Sequence, residues 1–178
     1  MERDAETVRA LFAKNDPARN ECEKGCRARK GSHMEGDDDI KKIMENLLLE
    51  KTGNLYSGKV IDYGTNPRNC GTLDCPDGYA KFTGPCGDTV EIFLRVGNDK
   101  ILDIRYTTDG CMTSHAAVSA ATEMARGKTP RECLKINQSS ILDHLGGLPE
   151  DSRHCALLAA ITLHKALRNF AVGKTRKA

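Results

Sequence analysis

The sequence has no tryptophan and few other aromatic residues, and its charges nearly balance. Aromatic side chains make up 4% of the 178 residues, and the formal net charge is +2. Nucleic-acid binding usually requires a basic surface, aromatic rings on which bases stack, or both. We therefore expect no nucleic-acid partner.

Long apolar runs are also missing. No stretch approaches the roughly 18 apolar residues of a membrane span, and no basic segment followed by an apolar one opens the chain. We expect no membrane association and a cytoplasmic location. The sequence does contain eight cysteines, a number that in small secreted proteins predicts a disulfide framework. A chain of this size can bury a core without such crosslinks, so we expect reduced thiols in the cytoplasm.

The first part of the chain differs from the rest. Residues 1–35 are mostly polar and charged, as in mobile linkers, and Gly31-Ser32-His33-Met34 matches a sequence that cloning vectors often leave. We interpret 1–35 as a flexible leader, or as a tag or fused segment. Cys22 and Cys26 lie there, where two thiols in a polar segment are a weak indication of a metal site.

Residues 36–54 predict an additional amphipathic helix. Three aspartates, Asp37–Asp39, suit its N-terminus, and apolar residues follow at helical spacing. Those apolar residues are Ile40, Ile43, Met44, Leu47 and Leu48. We expect this stripe to pack on the main body, with binding to a partner as the alternative.

Residues 55–172 form the main predicted domain, in which strands precede helices. Residues 89–96 alternate between apolar and polar, Gly97–Lys100 is a turn signal, and alternation resumes up to Tyr106. Tyr79–Thr83 predicts a third, short strand. The order of elements indicates an α+β fold.

Helical patterns follow the strands. They predict an alanine-rich helix capped by Thr113 or Ser114 and ending near Arg126, and a short helix opening at Pro130. A further helix is predicted after Ser139-Ser140, and a last one from about Ser152. The last helix has an apolar face that comprises Leu157, Leu158, Ile161, Leu163, Leu167 and Phe170. Residues 173–178 predict a basic, frayed tail.

Three cysteines lie at junctions between these elements. Cys86 lies in a Gly-Pro-rich loop between two strands, Cys111 directly precedes a helix, and Cys155 lies in the first turn of the last helix. They are 25 and 44 residues apart, so only a folded domain brings them together. A helix N-terminus favours thiolate, so we expect lowered pKa values for Cys111 and Cys155.

Two further donors accompany these thiols. Asp88 follows Cys86 by two residues, and His154 precedes Cys155. Thiolate, carboxylate and imidazole together suit iron or zinc better than magnesium or calcium. Neighbouring residues project about 100° apart on a regular helix, so His154 and Cys155 reach one site only if the helix begins there.

The remaining cysteines carry weaker signals. Cys70 and Cys75 fall in a loop and could be accessory thiols, but loop cysteines without a function are more common. Cys133, on a short helix, is expected to be buried in the packing.

From about Tyr56 to Phe170, the chain resembles the IscU/NifU-type iron–sulfur cluster scaffolds. The resemblance rests on several short motifs, which occur along this chain in the same order as in the family. They are Tyr56-Ser57, Lys59-Val60-Ile61-Asp62, Asn66-Pro67-Arg68-Asn69, Cys86-Gly87-Asp88, Gly110-Cys111, Ala121-Thr122-Glu123-Met124-Ala125, Gly127-Lys128-Thr129 and His154-Cys155.

The resemblance implies a three-stranded antiparallel sheet with helices packed on one face. It implies a non-enzymatic scaffold that assembles a transient [2Fe–2S] cluster from Fe²⁺ and sulfur and passes it to recipient apoproteins. Its implied partner is a cysteine desulfurase, whose persulfide sulfur is first accepted at Cys155. The implied site is formed by Cys86, Asp88, Cys111, His154 and Cys155, which Zn²⁺ can occupy instead of the cluster.

One segment departs from this family. Relatives usually carry Leu-Pro-Pro-Val-Lys before the His-Cys pair, where a dedicated chaperone binds, whereas residues 148–152 are Leu-Pro-Glu-Asp-Ser. We therefore do not expect chaperone-coupled transfer.

The residues alone leave two other functions open. A zinc-dependent hydrolase or transferase needs an open metal position and a general base, and a zinc-stabilised interaction module needs only the metal. Whether a cluster bridges two chains in a homodimer, and whether Asp88 or His154 is the fourth ligand, are also open.

Overall fold

The computed structural model describes residues 55–175 together with Ile43 and Leu47. Both of these isolated positions are helical and half-exposed, at 58% and 48%. The rest of the predicted helix in 36–54, and the predicted leader in 1–35, lie outside the described residues. Packing of the apolar stripe on the body therefore stays a prediction.

Three antiparallel strands form a meander in the order β1-β2-β3. They are β1 (Gly78–Thr83), β2 (Thr89–Gly97) and β3 (Lys100–Thr108). Thr83 pairs with Thr89 and Val90 pairs with Thr108, so these strand ends meet at one end of the sheet. At the other end, Asn98 and Asp99 both have φ above 50°, as a two-residue hairpin turn requires.

Helices cover one face of the sheet. They are α1 (Gly58–Thr65), α2 (Met112–Ala125), α3 (Pro130–Cys133), α4 (Gln138–Leu145) and α5 (Arg153–Thr175), with a 3₁₀ turn at Glu150–Ser152. The helix α5 packs on β1, β2 and α2, whereas α2 packs on β3 and α1. The predicted α+β fold, with its three-stranded antiparallel sheet and helices on one face, is confirmed.

The core lies between the sheet and these helices. Alternate residues of β2, Val90, Ile92 and Leu94, are fully buried, and each contributes about 1.5–3 kcal/mol by leaving water. The alanines of α2 let the backbones approach closely, and Ala116, Ala117, Ala120 and Ala121 are fully buried. The apolar–polar alternation in residues 89–96 is typical of a strand with one buried face, and the structure confirms that face for β2.

The structure differs from the sequence predictions at several element boundaries. Cys111, not Thr113 or Ser114, is the N-cap residue of α2. Leu157 is 44% exposed, although it was predicted on the apolar face of the last helix. That helix continues to Thr175, three residues into the predicted tail. The helix α1, capped by Ser57, was not predicted.

By length and composition, the segment Glu150–Gly173 could cross a membrane. It is instead the central helix of this domain, because more than half of its apolar window is buried in the fold. Its buried residues include Leu163, Leu167 and Phe170.

Candidate metal centre

Three segments meet at the end of the sheet where β1 joins β2. Asp88 closes the turn between these strands, Cys111 stands at the N-terminus of α2, and Cys155 is the third residue of α5. The turn is held by hydrogen bonds from Gly84 N to Asp88 O at 2.8 Å and from Gly87 N to Gly84 O at 3.0 Å. Parts of the chain that are far apart in sequence thereby become neighbours.

Asp88, Cys111 and Cys155 each direct a ligand atom to the same place. One carboxylate oxygen and the two Sγ atoms all lie within 4.8 Å of one another. Ligand atoms bound to one tetrahedral ion at about 2.0–2.3 Å lie roughly 3.3–3.8 Å apart, so small side-chain movements would bring these three atoms onto one ion. Cys155 is buried, Asp88 half-buried and Cys111 exposed, so the group opens to solvent at one side.

The other two predicted ligands lie outside this close group. Cys86 is exposed in the same turn as Asp88. The imidazole of His154 is half-buried, and its Nε2 atom lies 3.7 Å from Cys155 Sγ. This approach is possible because α5 begins at Arg153, so both residues lie in the first turn.

Two hydroxyl groups from the start of α2 connect the three ligands. Thr113 Oγ1 lies 3.0 Å from Cys111 Sγ and 3.6 Å from Cys155 Sγ. Ser114 Oγ is 2.6 Å from Asp88 Oδ2, within donating distance, and 3.3 Å from Cys155 Sγ. Both residues are buried. The sequence prediction missed their part in the site because hydroxyl residues at a helix start usually serve as caps.

The two thiols of the group differ in their acidity. Burial acts to raise the pKa of Cys111, but hydrogen bonds from the Thr113 hydroxyl and from the backbone of Ser114 and Thr113 bring it below its ordinary value. For Cys155, burial outweighs the opposing effect of the nearby Ser114 and Thr113 hydroxyls, and the pKa is raised. The predicted lowering is therefore confirmed for Cys111 and wrong for Cys155, because desolvation disfavours a buried thiolate.

The remaining described cysteines lie apart from this group. Cys133 is buried, as predicted, and Cys70 is free and exposed. Cys75 is disulfide-bonded, so the expectation of reduced thiols is not met there. Cys22 and Cys26 lie outside the described residues.

The family described as "NifU-like N terminal domain" matches residues 55–177 of this chain. The chain is 43% identical over 117 residues to the iron–sulfur cluster assembly scaffold protein IscU 1 of Archaeoglobus fulgidus, covering 65% of this chain and 76% of that protein. It is 37% identical over 124 residues to the IscU scaffold protein of Aquifex aeolicus, covering 68% and 79%.

Solved structures agree in fold. The crystal structure of a putative scaffold protein for the SUF system from Fervidobacterium islandicum has a TM-score of 0.53 at 25% identity, covering 64% of this chain and 96% of that one. A NifU-like N-terminal structure from Brucella abortus has a TM-score of 0.54 at 21% identity, covering 66% and 95%. With its sheet, its helices and its grouped Asp88, Cys111 and Cys155, the chain belongs to the family of NifU-like N-terminal domains.

Proposed function

We propose that this protein is a scaffold on which an iron–sulfur cluster is assembled and from which it is passed to recipient apoproteins. The observation that carries the proposal is the meeting of the Asp88 carboxylate with the thiols of Cys111 and Cys155 within 4.8 Å. The relatives named above are cluster assembly scaffolds, and no described feature favours a zinc hydrolase or a zinc-stabilised module.

The choice of ligands suits transient binding. Proteins that keep their clusters for electron transfer commonly hold them with four cysteines. In this chain a carboxylate belongs to the close group, and carboxylate suits hard ions better than it suits iron in a sulfur environment. The proposed ligands are Cys86, Asp88, Cys111, His154 and Cys155, with Asp88 and His154 sharing the exchangeable position. The proposed substrates are Fe²⁺ and persulfide sulfur, and the proposed product is a [2Fe–2S] cluster. Reduction of two persulfide sulfurs to sulfide takes four electrons. Oxidation of two Fe²⁺ to Fe³⁺ supplies two of them, and an external reductant supplies the other two.

Sulfur is proposed to arrive from a cysteine desulfurase as a persulfide. The Cys155 thiolate attacks the outer sulfur, the donor's S–S bond breaks, and the donor cysteine leaves as a thiolate. Burial raises the pKa of Cys155, so this thiol carries its proton at neutral pH. The proton is released as the thiolate forms and is taken up by the departing donor thiolate. The step involves no net oxidation, since one S–S bond replaces another.

We also propose that cluster transfer from this protein does not use the chaperone that binds the Leu-Pro-Pro-Val-Lys segment of its relatives. In this chain the corresponding segment places Glu150 and Asp151 in an exposed 3₁₀ turn. Two carboxylates there replace an apolar and a prolyl residue, and they alter both the charge and the shape of that surface.

Anaerobic reconstitution tests the proposal. The purified chain receives Fe²⁺, cysteine, a cysteine desulfurase and a thiol reductant that converts persulfide sulfur to sulfide. Bound iron, bound sulfide and visible absorption are then measured. In the wild type we expect about one bound sulfide per bound iron. Cys133→Ala, the control, should give the same result, whereas Cys111→Ala should bind neither iron nor sulfide. A colourless protein that holds one zinc ion and accepts no sulfur would overturn the proposal.

A further inference from the structure

Ser114 lies at the centre of the group formed by Asp88, Cys111 and Cys155. Its Oγ atom is 2.6 Å from Asp88 Oδ2, 3.3 Å from Cys155 Sγ and 3.9 Å from Cys111 Sγ. Among the described hydrogen bonds, no other side chain reaches all three of these residues. Ser114 is 1% exposed, so water does not replace its hydroxyl readily.

The hydroxyl can donate only one hydrogen at a time. The distances favour the carboxylate as acceptor, because 2.6 Å is a short O–H···O⁻ bond and a hydroxyl–sulfur contact of 3.3 Å is weaker. A carboxylate has two oxygens, so a hydrogen bond to Oδ2 fixes its orientation and leaves Oδ1 available. Among the described residues, no other hydrogen bond holds the Asp88 side chain.

The backbone opposite Ser114 is shaped to permit this contact. Gly110 lies against both side chains, and a Cβ atom there would be 2.5 Å from Asp88 Oδ2 and 2.6 Å from Ser114 Cβ. The contact between Asp88 and Ser114 therefore requires glycine at position 110, because any side chain there would overlap both residues.

From these contacts we propose that Ser114 is a positioning residue, which holds the Asp88 carboxylate toward the metal-binding group. Groups that orient a ligand in this way typically account for about 10- to 100-fold in metal affinity. The role deepens the proposed function but does not depend on sulfur chemistry, so it is tested with a single metal ion.

Cobalt(II) titration of the reduced, metal-free protein under anaerobic conditions provides the test. Thiolate-to-cobalt charge-transfer bands report the bound thiolates among Cys86, Cys111 and Cys155, and the d–d bands report the complete ligand set. We expect Ser114→Ala to bind cobalt about 10- to 100-fold more weakly, with the charge-transfer bands kept and the d–d bands altered. Alanine is close in size to serine and has the higher helix propensity, so we expect Ser114→Ala to fold, and circular dichroism of the metal-free variant checks this.

A matched control comes from the same helix. Ser119 is also buried, but its hydroxyl accepts from Arg68 N at 2.6 Å, away from the metal-binding group. Ser119→Ala should therefore bind cobalt like the wild type, whatever its thermal stability.

A double-mutant cycle separates positioning from a general structural effect. If Ser114 acts through Asp88, adding Ser114→Ala to Asp88→Ala should change cobalt affinity by no more than about twofold. An unchanged affinity in Ser114→Ala alone, or the same loss in both backgrounds, would overturn the proposal. Failure of the wild type to assemble a cluster, with these cobalt results intact, would count against the proposed function alone.

Discussion

Gly110 and Asp88 are in such close contact that a methyl group cannot be inserted between them. A Cβ atom on Gly110 would lie 2.5 Å from Asp88 Oδ2, and 2.8 Å from Ser114 Oγ. Both distances are shorter than van der Waals contact, so both side chains, or the backbone at Gly110, would have to move. The requirement for glycine here is one of space rather than of backbone conformation.

The first prediction concerns this contact. Gly110→Ala should displace Asp88 and weaken cobalt(II) binding by about tenfold or more, and overpacking should lower the free energy of unfolding by about 1–3 kcal/mol. Gly58→Ala is the control, because a Cβ atom at Gly58 meets nothing within 4 Å. Wild-type metal affinity in Gly110→Ala would refute the prediction.

The second prediction concerns the reactivity of the two thiols in the metal-free protein. Cys111 is exposed and its pKa is lowered, whereas Cys155 is buried and its pKa is raised. Since thiolate is the nucleophile, iodoacetamide should modify Cys111 first, and its rate should reach a plateau at lower pH. Peptide mass spectrometry over a pH series measures both rates, and equal rates would contradict the assigned environments.

The third prediction concerns the exchangeable ligand. Asp88→Ala should prolong the life of an assembled cluster in the presence of a recipient apoprotein. His154 Nε2 already lies 3.7 Å from Cys155 Sγ, and imidazole suits iron better than carboxylate does. The decay of visible absorption measures the lifetime.

A second substitution checks this explanation. Adding His154→Ala to Asp88→Ala should remove the gain, because no described imidazole then stands beside Cys155. A lifetime in Asp88→Ala equal to that of the wild type would show that release does not proceed through Asp88.

The fourth prediction concerns stability at alkaline pH. Burial raises the pKa of Cys133 from an ordinary value of 9.0 to about 11. Above about pH 9 the unfolded chain loses this proton while the folded protein keeps it. The contribution of Cys133 to stability is therefore fully present below pH 9 and is lost as the pH rises toward 11.

Urea unfolding at several pH values measures this loss. The free energy of unfolding should fall more steeply in the wild type than in Cys133→Ala, by up to about 1.4 kcal/mol per pH unit. Other titrating groups are common to both proteins and cancel in the comparison. Parallel curves would mean that Cys133 ionises as easily in the folded protein as in the unfolded chain.

Much of the fold could be predicted because local patterns and tertiary structure agree. The alternation through Val90, Ile92 and Leu94 predicts one buried face, and the structure buries these residues. The helix Gly58–Thr65 was missed because it is short and contains two glycines, which weaken any helical pattern. In the structure, Ser57 caps this helix by accepting a hydrogen bond from Val60 N. A single serine is also common in turns, so by itself it does not predict the start of a helix.

The site was predicted less completely than the fold. Residue type and junction position singled out Asp88, Cys111 and Cys155, and the structure brings their ligand atoms together. The acidity of Cys155 could not be predicted, because its helix position favours thiolate while its burial opposes it. Burial depends on what α5 packs against, and the sequence near Cys155 does not contain that information.

The hairpin turn between β2 and β3 lies at the end of the sheet opposite to the metal-binding group, one strand length away. The strand β2 has nine residues, which at roughly 3.4 Å per residue places the Asn98–Asp99 turn about 30 Å from Asp88. That turn is exposed and is the natural point at which to attach a fluorophore or a surface anchor. A label there would let cluster arrival and departure be followed on single molecules without touching the residues that bind the metal.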